Sequence, residues 1–151
     1  LDINEIIEIA ISHVSLIVEN RNGKIFTEIN AEKSYIIGNE THLINVFVNI
    51  LDNAIKYNNN CPEISLKTKN IDNKLLIEIA DNGIGMTKPV QSKIFEKFYR
   101  KQIGDLHDVK GHGLGLAYVK KIIDFHDGDI SVESVINKGS TFTIQLNVFN
   151  K

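Results

Sequence analysis

The chain has 151 residues, 42% of them hydrophobic and 24% charged, the composition of one compact globular domain rather than a disordered segment. A formal net charge of −2 argues against a grip on nucleic acid, which needs a basic surface. The lone Cys61 leaves no internal disulfide and fits a reducing compartment.

The opening stretch, LDINEIIEIAISHVSLIVEN, is broken by acids every few residues, so it is neither a signal peptide nor a membrane span. Starting at Leu1 without Met, the chain reads as a piece of a longer protein. Asp2 can cap a helix over residues 3–20, with Ile6, Ile9, Ala10, His13, Leu16 and Ile17 as its apolar stripe. His13 is then a packed residue and not a ligand. Asn22-Gly23 marks a turn. KIFTEIN alternates like a strand, and SYIIG reads as a second, short one.

Asn39 opens a helix running to about Tyr57, whose core face is Leu43, Phe47, Ile50, Leu51, Ala54 and Ile55. EISLKTKN and KLLIEIA form a hairpin across IDN. Thr87 is placed to cap a short helix starting near Lys88 and carrying IFEKFYR. The stretch 101–110 is polar and without periodicity, a loop expected to be mobile without a ligand. A third long helix spans about 114–126. GDISVESV and STFTIQLNVF close the chain as a hairpin across INKG. The predicted fold class is an α+β two-layer sandwich, a mixed, largely antiparallel sheet packed against about three helices.

On the second helix, Val46, Asn49, Asn53, Lys56 and Tyr57 recur at three- and four-residue steps away from the core face. Two amide oxygens one turn apart, with a cation beyond them, suit a magnesium–phosphate unit, because Mg²⁺ prefers oxygen ligands and usually keeps waters and phosphates. A solvated polar face would carry the same residues. The helix alone does not choose.

Two glycine-rich stretches follow, DNGIGM (81–86) and GHGLGL (111–116). Glycine lets backbone approach a ligand closely, and a glycine turn entering a helix offers free N–H groups to phosphate. GHGLGL lacks the Gly-Lys-Ser/Thr of a P-loop and does not follow a strand, as a dinucleotide fingerprint would. Asp81, at the head of the first stretch, is a poor phosphate contact and a good acceptor for an amino group such as that of adenine. Either loop alone could be a tight turn. Together with the asparagine helix they point to a nucleotide.

The ordered set NILDNAIKY, DNGIGM, IFEKFYR, GHGLGLAYVKKI and GSTFTIQL resembles the N, G1, F, G2 and G3 boxes of sensor histidine kinases, over roughly residues 39–146. The resemblance implies the Bergerat fold shared with gyrase, heat-shock chaperone ATPases and mismatch-repair ATPases, with ATP and Mg²⁺ as cofactors. It implies that Asn53 ligates the metal, supported by Asn49, and that Lys56 and Tyr57 meet the phosphates and the nucleotide wall. Asp81 would accept from the adenine amine, with Gly83, Ile84, Gly85 and Met86 closing over the base. Arg100 would clamp the γ-phosphate, helped by Lys97. Gly111, His112, Gly113, Leu114, Gly115 and Leu116 would form the lid hinge and phosphate cradle, and Thr141 would back the pocket near Asp81. His112 is either a phosphate donor or a plain lid residue; Met86 and Phe98 either line the base pocket or fill core.

Hydrolysing members of this superfamily resemble one another in carrying Glu one turn before the magnesium Asn. Here that position is Asn49, and an amide cannot take a proton from water. The resemblance therefore implies a protein-histidine kinase rather than an ATPase or a nucleotide-binding scaffold. None of His13, His42, His107, His112 and His126 sits in the family's phospho-acceptor context. The chain is accordingly expected to be the catalytic domain alone. Its implied partners are an upstream dimerisation and phosphotransfer hairpin and a response-regulator receiver domain, in a homodimeric, cytoplasm-facing protein that is often anchored in the inner membrane.

Overall fold

A computed structural model describes residues 1–96 and 115–150. Its elements run α1 (Ile3–Asn20), β1 (Lys24–Ile29), α2 (Glu40–Lys56), β2 (Glu63–Ile71), β3 (Lys74–Asp81), α3 (Lys88–Gln91), α4 (Gly115–Phe125), β4 (Asp129–Val135) and β5 (Gly139–Asn147). The strands form one five-stranded sheet in the order β1-β2-β3-β5-β4. β1 runs parallel to β2 and every other pair is antiparallel. The parallel pair is possible because α2 lies between its strands in the chain and provides the long return that such a pair requires. The expected two-layer sandwich is the observed one.

Both helix starts follow from their caps. The Asp2 carboxylate accepts from the Asn4 amide at 3.0 Å, and the Asn39 side chain accepts from the His42 amide at 3.0 Å. Among the described residues, the non-glycine positions with positive φ are Asn22, Asp72, Asp127 and Asn137. All are Asn or Asp, the types that bear this conformation most easily after glycine. Strand alternation sorts the sheet into two faces. Ile64, Leu66, Ile77, Ile79, Phe142 and Ile144 are buried, together with Phe47, Ile50 and Leu51 of α2. The opposite face carries cross-strand ion pairs, Lys69–Glu78 at 3.6 Å among them.

Four expectations are corrected. The packed stripe of α1 is Ile3, Ile6, Ile7, Ala10, Val14 and Val18; Ile9, Leu16 and Ile17 are exposed, as is His13. Apolar residues lie on both flanks of this helix, so spacing alone could not select the face. SYIIG forms no strand: Tyr35 makes one isolated antiparallel bridge to Asp2, and Leu1 and Ile36 exchange hydrogen bonds around it. Helix α3 ends at Gln91, so Ile94, Phe95 and Glu96 follow it in turns. Val46 is fully buried and belongs to the core face of α2.

Candidate functional site

The site gathers where the end of β3, the C-terminal half of α2 and the β4–β5 turn meet. Asp81 is the last residue of β3. Alternation from the buried Ile79 turns its side chain toward the helix layer. One carboxylate oxygen, Oδ1, accepts from the Gly83 amide at 2.8 Å and from the Ser140 amide at 3.3 Å. Burial pushes the Asp81 pKa above its ordinary value of 3.8, against the opposing pull of those two backbone N–H groups.

The loop that follows is tied down on three sides. The Ile84 amide donates to the Tyr57 carbonyl at 2.9 Å, and the Asn137 amide to the Ile84 carbonyl at 2.8 Å. The Met86 amide donates to Ser134 Oγ at 2.7 Å. Gly85 has φ +72, and a Cβ there would lie 2.0 Å from the Val135 carbonyl oxygen. Gly139 has φ +114, and its Cβ would lie 1.9 Å from the Asp81 carbonyl oxygen. No side chain fits either position, so loop and hairpin close to backbone contact. A second network braces the end of α2. The Arg21 guanidinium donates to the carbonyls of Ile55, Asn58 and Asn60, and Asn58 Nδ2 donates to Asn82 Oδ1 at 2.7 Å.

Along α2, Asn49 and Asn53 are half-buried one turn apart. Asn49 Nδ2 donates back to the Asn45 carbonyl at 2.8 Å, which leaves its oxygen facing outward. A Cβ on Gly115 would stand 3.3 Å from that oxygen, so the first turn of α4 lies against the asparagine stripe. Lys56 pairs with Asp52 at 2.7 Å. The structure thus brings together Asn49, Asn53, Lys56, Tyr57, Asp81, Gly83, Ile84, Gly85, Met86 and Gly115, while Leu116 packs against the core. Lys97, Phe98, Arg100, Gly111, His112, Gly113 and Leu114 lie outside the described residues, as does the loop 101–110. Met86 packs against the core, the second of its two expected roles, while its amide donates to Ser134 Oγ.

Thr141 does not face Asp81. It pairs with Ala80 in the register of β3 and β5, and alternation sends its side chain to the other face. Ser140 is the residue opposite Asp81. Its hydroxyl lies 2.8 Å from Ser134 Oγ, which also lies 2.9 Å from the Gly139 carbonyl. Ser134, Ser140 and Gln91 were missed at the level of sequence. Counting back by twos from the apolar Phe142 and Ile144 would have placed Ser140 inward.

The donor set fits a magnesium nucleotide. Among the described residues no group of three His, Cys, Asp or Glu side chains could cage a metal. The amide oxygens of Asn49 and Asn53 with the Lys56 cation suit instead a metal that takes most of its ligands from phosphates and water. A carboxylate held by backbone suits an amino group at the far end.

The profile of the histidine kinase-, DNA gyrase B- and HSP90-like ATPase family matches residues 38–149. The sensor protein RprX of Bacteroides fragilis (strain YCH46) is 49% identical over 150 residues, covering 97% of this chain and 28% of its own length. The chain therefore spans less than a third of that relative. Among solved structures, the mycobacterial sensor histidine kinase MprB superposes with a TM-score of 0.80 at 25% identity, covering 100% of this chain and 97% of that one. Histidine kinase ThkA, solved in complex with the response regulator protein TrrA, has the same fold, with a TM-score of 0.80 at 21% identity over 99% of this chain and 41% of that one.

Proposed function

This chain belongs to the histidine kinase-, DNA gyrase B- and HSP90-like ATPase family, and on that premise we propose that it is the catalytic domain of a sensor histidine kinase, binding Mg-ATP and passing the γ-phosphoryl group to a histidine on a separate dimerisation domain. The observation that carries the reading is Asp81. Its carboxylate is fixed by Gly83 and Ser140, and the loop that follows is tied through the Ile84 amide to the Tyr57 carbonyl at the end of α2.

In this reading Asp81 accepts from the exocyclic amine of adenine, and the backbone of residues 83–86 forms the wall around the base. Asn53 holds Mg²⁺ through its side-chain oxygen, Asn49 orients the same polar cluster, and Lys56 and Tyr57 approach the phosphates. Bound Mg-ATP supplies the transferable phosphoryl group and the metal that neutralises its charge. Lys97 and Arg100 are proposed as the cationic clamp, and Gly111, Gly113 and Gly115 as the lid hinge. Asn49 stands where a hydrolase needs a base and cannot take a proton from water, so ATP awaits a protein nucleophile.

RprX is named a sensor protein and ThkA was solved with a response regulator. We take the corresponding partners here to be a histidine hairpin and a receiver domain, within a homodimeric full-length protein. No helix among the described residues is long and apolar enough to cross a membrane. We place this domain on the cytoplasmic side, where ATP is available, whatever anchors the whole protein. The test is phosphotransfer: this chain, a separately supplied histidine hairpin of a relative and radiolabelled Mg-ATP should give acid-labile label on the hairpin. Label appearing only as free phosphate would favour hydrolysis instead.

A further inference from the structure

Five backbone groups of the loop 83–86 are tied, and two of those ties rest on side chains of other elements. The Met86 amide donates to Ser134 Oγ at 2.7 Å, and the Met86 carbonyl accepts from Gln91 Nε2 at 3.0 Å. Gln91 Nε2 also donates to the Ser134 carbonyl at 3.0 Å. Both partners of this amide are backbone carbonyls, which only accept. The NH₂ end of Gln91 must therefore face them, and its two protons are both used.

Gln91 is the last residue of α3, a single turn whose cap residue Thr87 makes no side-chain capping bond. The turn is instead held by the buried Val90 and by this amide. Four residues on, Phe95 meets Phe142 of β5 edge to face, with ring centroids 6.2 Å apart. One side chain thus joins α3, the loop after Asp81 and β4.

We propose that Gln91 is a positioning residue for nucleotide binding: by clamping the Met86 and Ser134 carbonyls together it holds the loop after Asp81 in the shape that receives the base. The inference rests on the proposed ATP site and adds a residue that does not itself touch the ligand. The remaining ties are backbone to backbone or local to Asp81 and survive side-chain changes. The Gln91 and Ser134 ties do not.

Met86 is the single methionine of the chain, so a ¹³C-methyl methionine label reports on this loop alone. Gln91→Glu keeps the shape and removes both donors; Gln91→Leu removes them without adding charge; Ser134→Ala removes the acceptor for Met86, and Ser134→Thr restores it. Each sample is titrated with a non-hydrolysable ATP analogue and with adenosine. The clamp predicts that Ser134→Ala, which removes one tie to the loop, weakens both ligands by the same factor, about fivefold to tenfold. Gln91→Glu and Gln91→Leu, which each remove two hydrogen bonds, weaken both alike by at least as much. The Met86 methyl signal shifts or broadens in the free variants, Ser134→Thr recovers wild-type behaviour, and thermal midpoints stay close to wild type.

Variants that bind both ligands like wild type with an unmoved Met86 signal overturn the clamp and leave the ATP site standing. Loss for the ATP analogue but not for adenosine also overturns it, because the defect then lies with the phosphates. A wild-type chain that binds neither ligand overturns the proposed ATP site, and the clamp with it. Should Gln91→Leu fail to fold, Gln91→Glu and the two Ser134 variants decide.

Discussion

Ser140 stands opposite Asp81 across β3 and β5, and its backbone amide reaches the Asp81 carboxylate at 3.3 Å. That contact shares one oxygen, Oδ1, with the Gly83 amide. A carboxylate so placed is oriented by its own fold before any ligand arrives, which is the preorganisation a base-recognition group needs.

Asp81→Asn should weaken an ATP analogue by about tenfold to a hundredfold, because an amide that turns its NH₂ to the adenine amine leaves a buried donor unpaired. Stability should move the other way. Burial raises the Asp81 pKa in the folded chain, so folding disfavours its ionised form. Its contribution is fully present below the ordinary carboxylate value and is lost as pH rises through the raised one. The amide of the variant does not titrate. Thermal midpoints should therefore shift in favour of the variant as pH climbs through that window, and a difference constant with pH would count against the buried carboxylate.

Gly85→Ala and Gly139→Ala each place a methyl group against a backbone carbonyl at a positive φ. Each should cost about 2 kcal/mol or more in chemical denaturation, with lost nucleotide binding, since neither the loop nor the hairpin can retreat without breaking the sheet register. Among the described residues, Gly115→Ala meets the Asn49 side-chain amide, its oxygen at 3.3 Å, and should cost folding far less.

Asn49→Glu puts a carboxylate where the hydrolysing relatives carry their base. If Asn49 withholds hydrolysis, this variant should raise the rate of phosphate release by about tenfold or more over wild type, within the range of general-base effects. An unchanged rate in a variant that still binds nucleotide would show that position 49 does not separate the two chemistries.

Phe47 is fully buried beneath the asparagine stripe. Phe47→Ala should cost about 3–5 kcal/mol of folding stability through lost burial and the cavity left behind. Nucleotide at saturating concentration should recover part of that loss by mass action.

Much of the fold was legible in the residues. The caps Asp2 and Asn39, the Asn-Gly turn and the two antiparallel hairpins follow local rules, and the structure keeps their boundaries nearly to the residue. The errors share a physical origin. Helix α1 has aliphatic residues on two faces, and only its packing against α2 and β1 decides that Ile7 and Val14 pack while Leu16 and Ile17 do not. SYIIG has strand composition but meets only short stretches near the two ends of the chain, residues 1–3 and Phe149, too few to extend a ladder. At the site, motif order pointed to Asp81 at the end of β3 and to Asn49 and Asn53 one turn apart on α2, positions that the structure gives them. The choice of Thr141 over Ser140 ignored a two-residue alternation already visible in Phe142 and Ile144. Gln91 carries no motif signal at all, because its partners are carbonyls of other elements.

The most direct test of the account is calorimetric titration of this chain with a non-hydrolysable ATP analogue, with and without Mg²⁺, beside Asn53→Ala. Saturable binding that strengthens with Mg²⁺ in the wild type, and loses that increment in Asn53→Ala, is the predicted result. No binding by the folded wild-type chain, or an equal magnesium effect in both, would contradict the proposed nucleotide site.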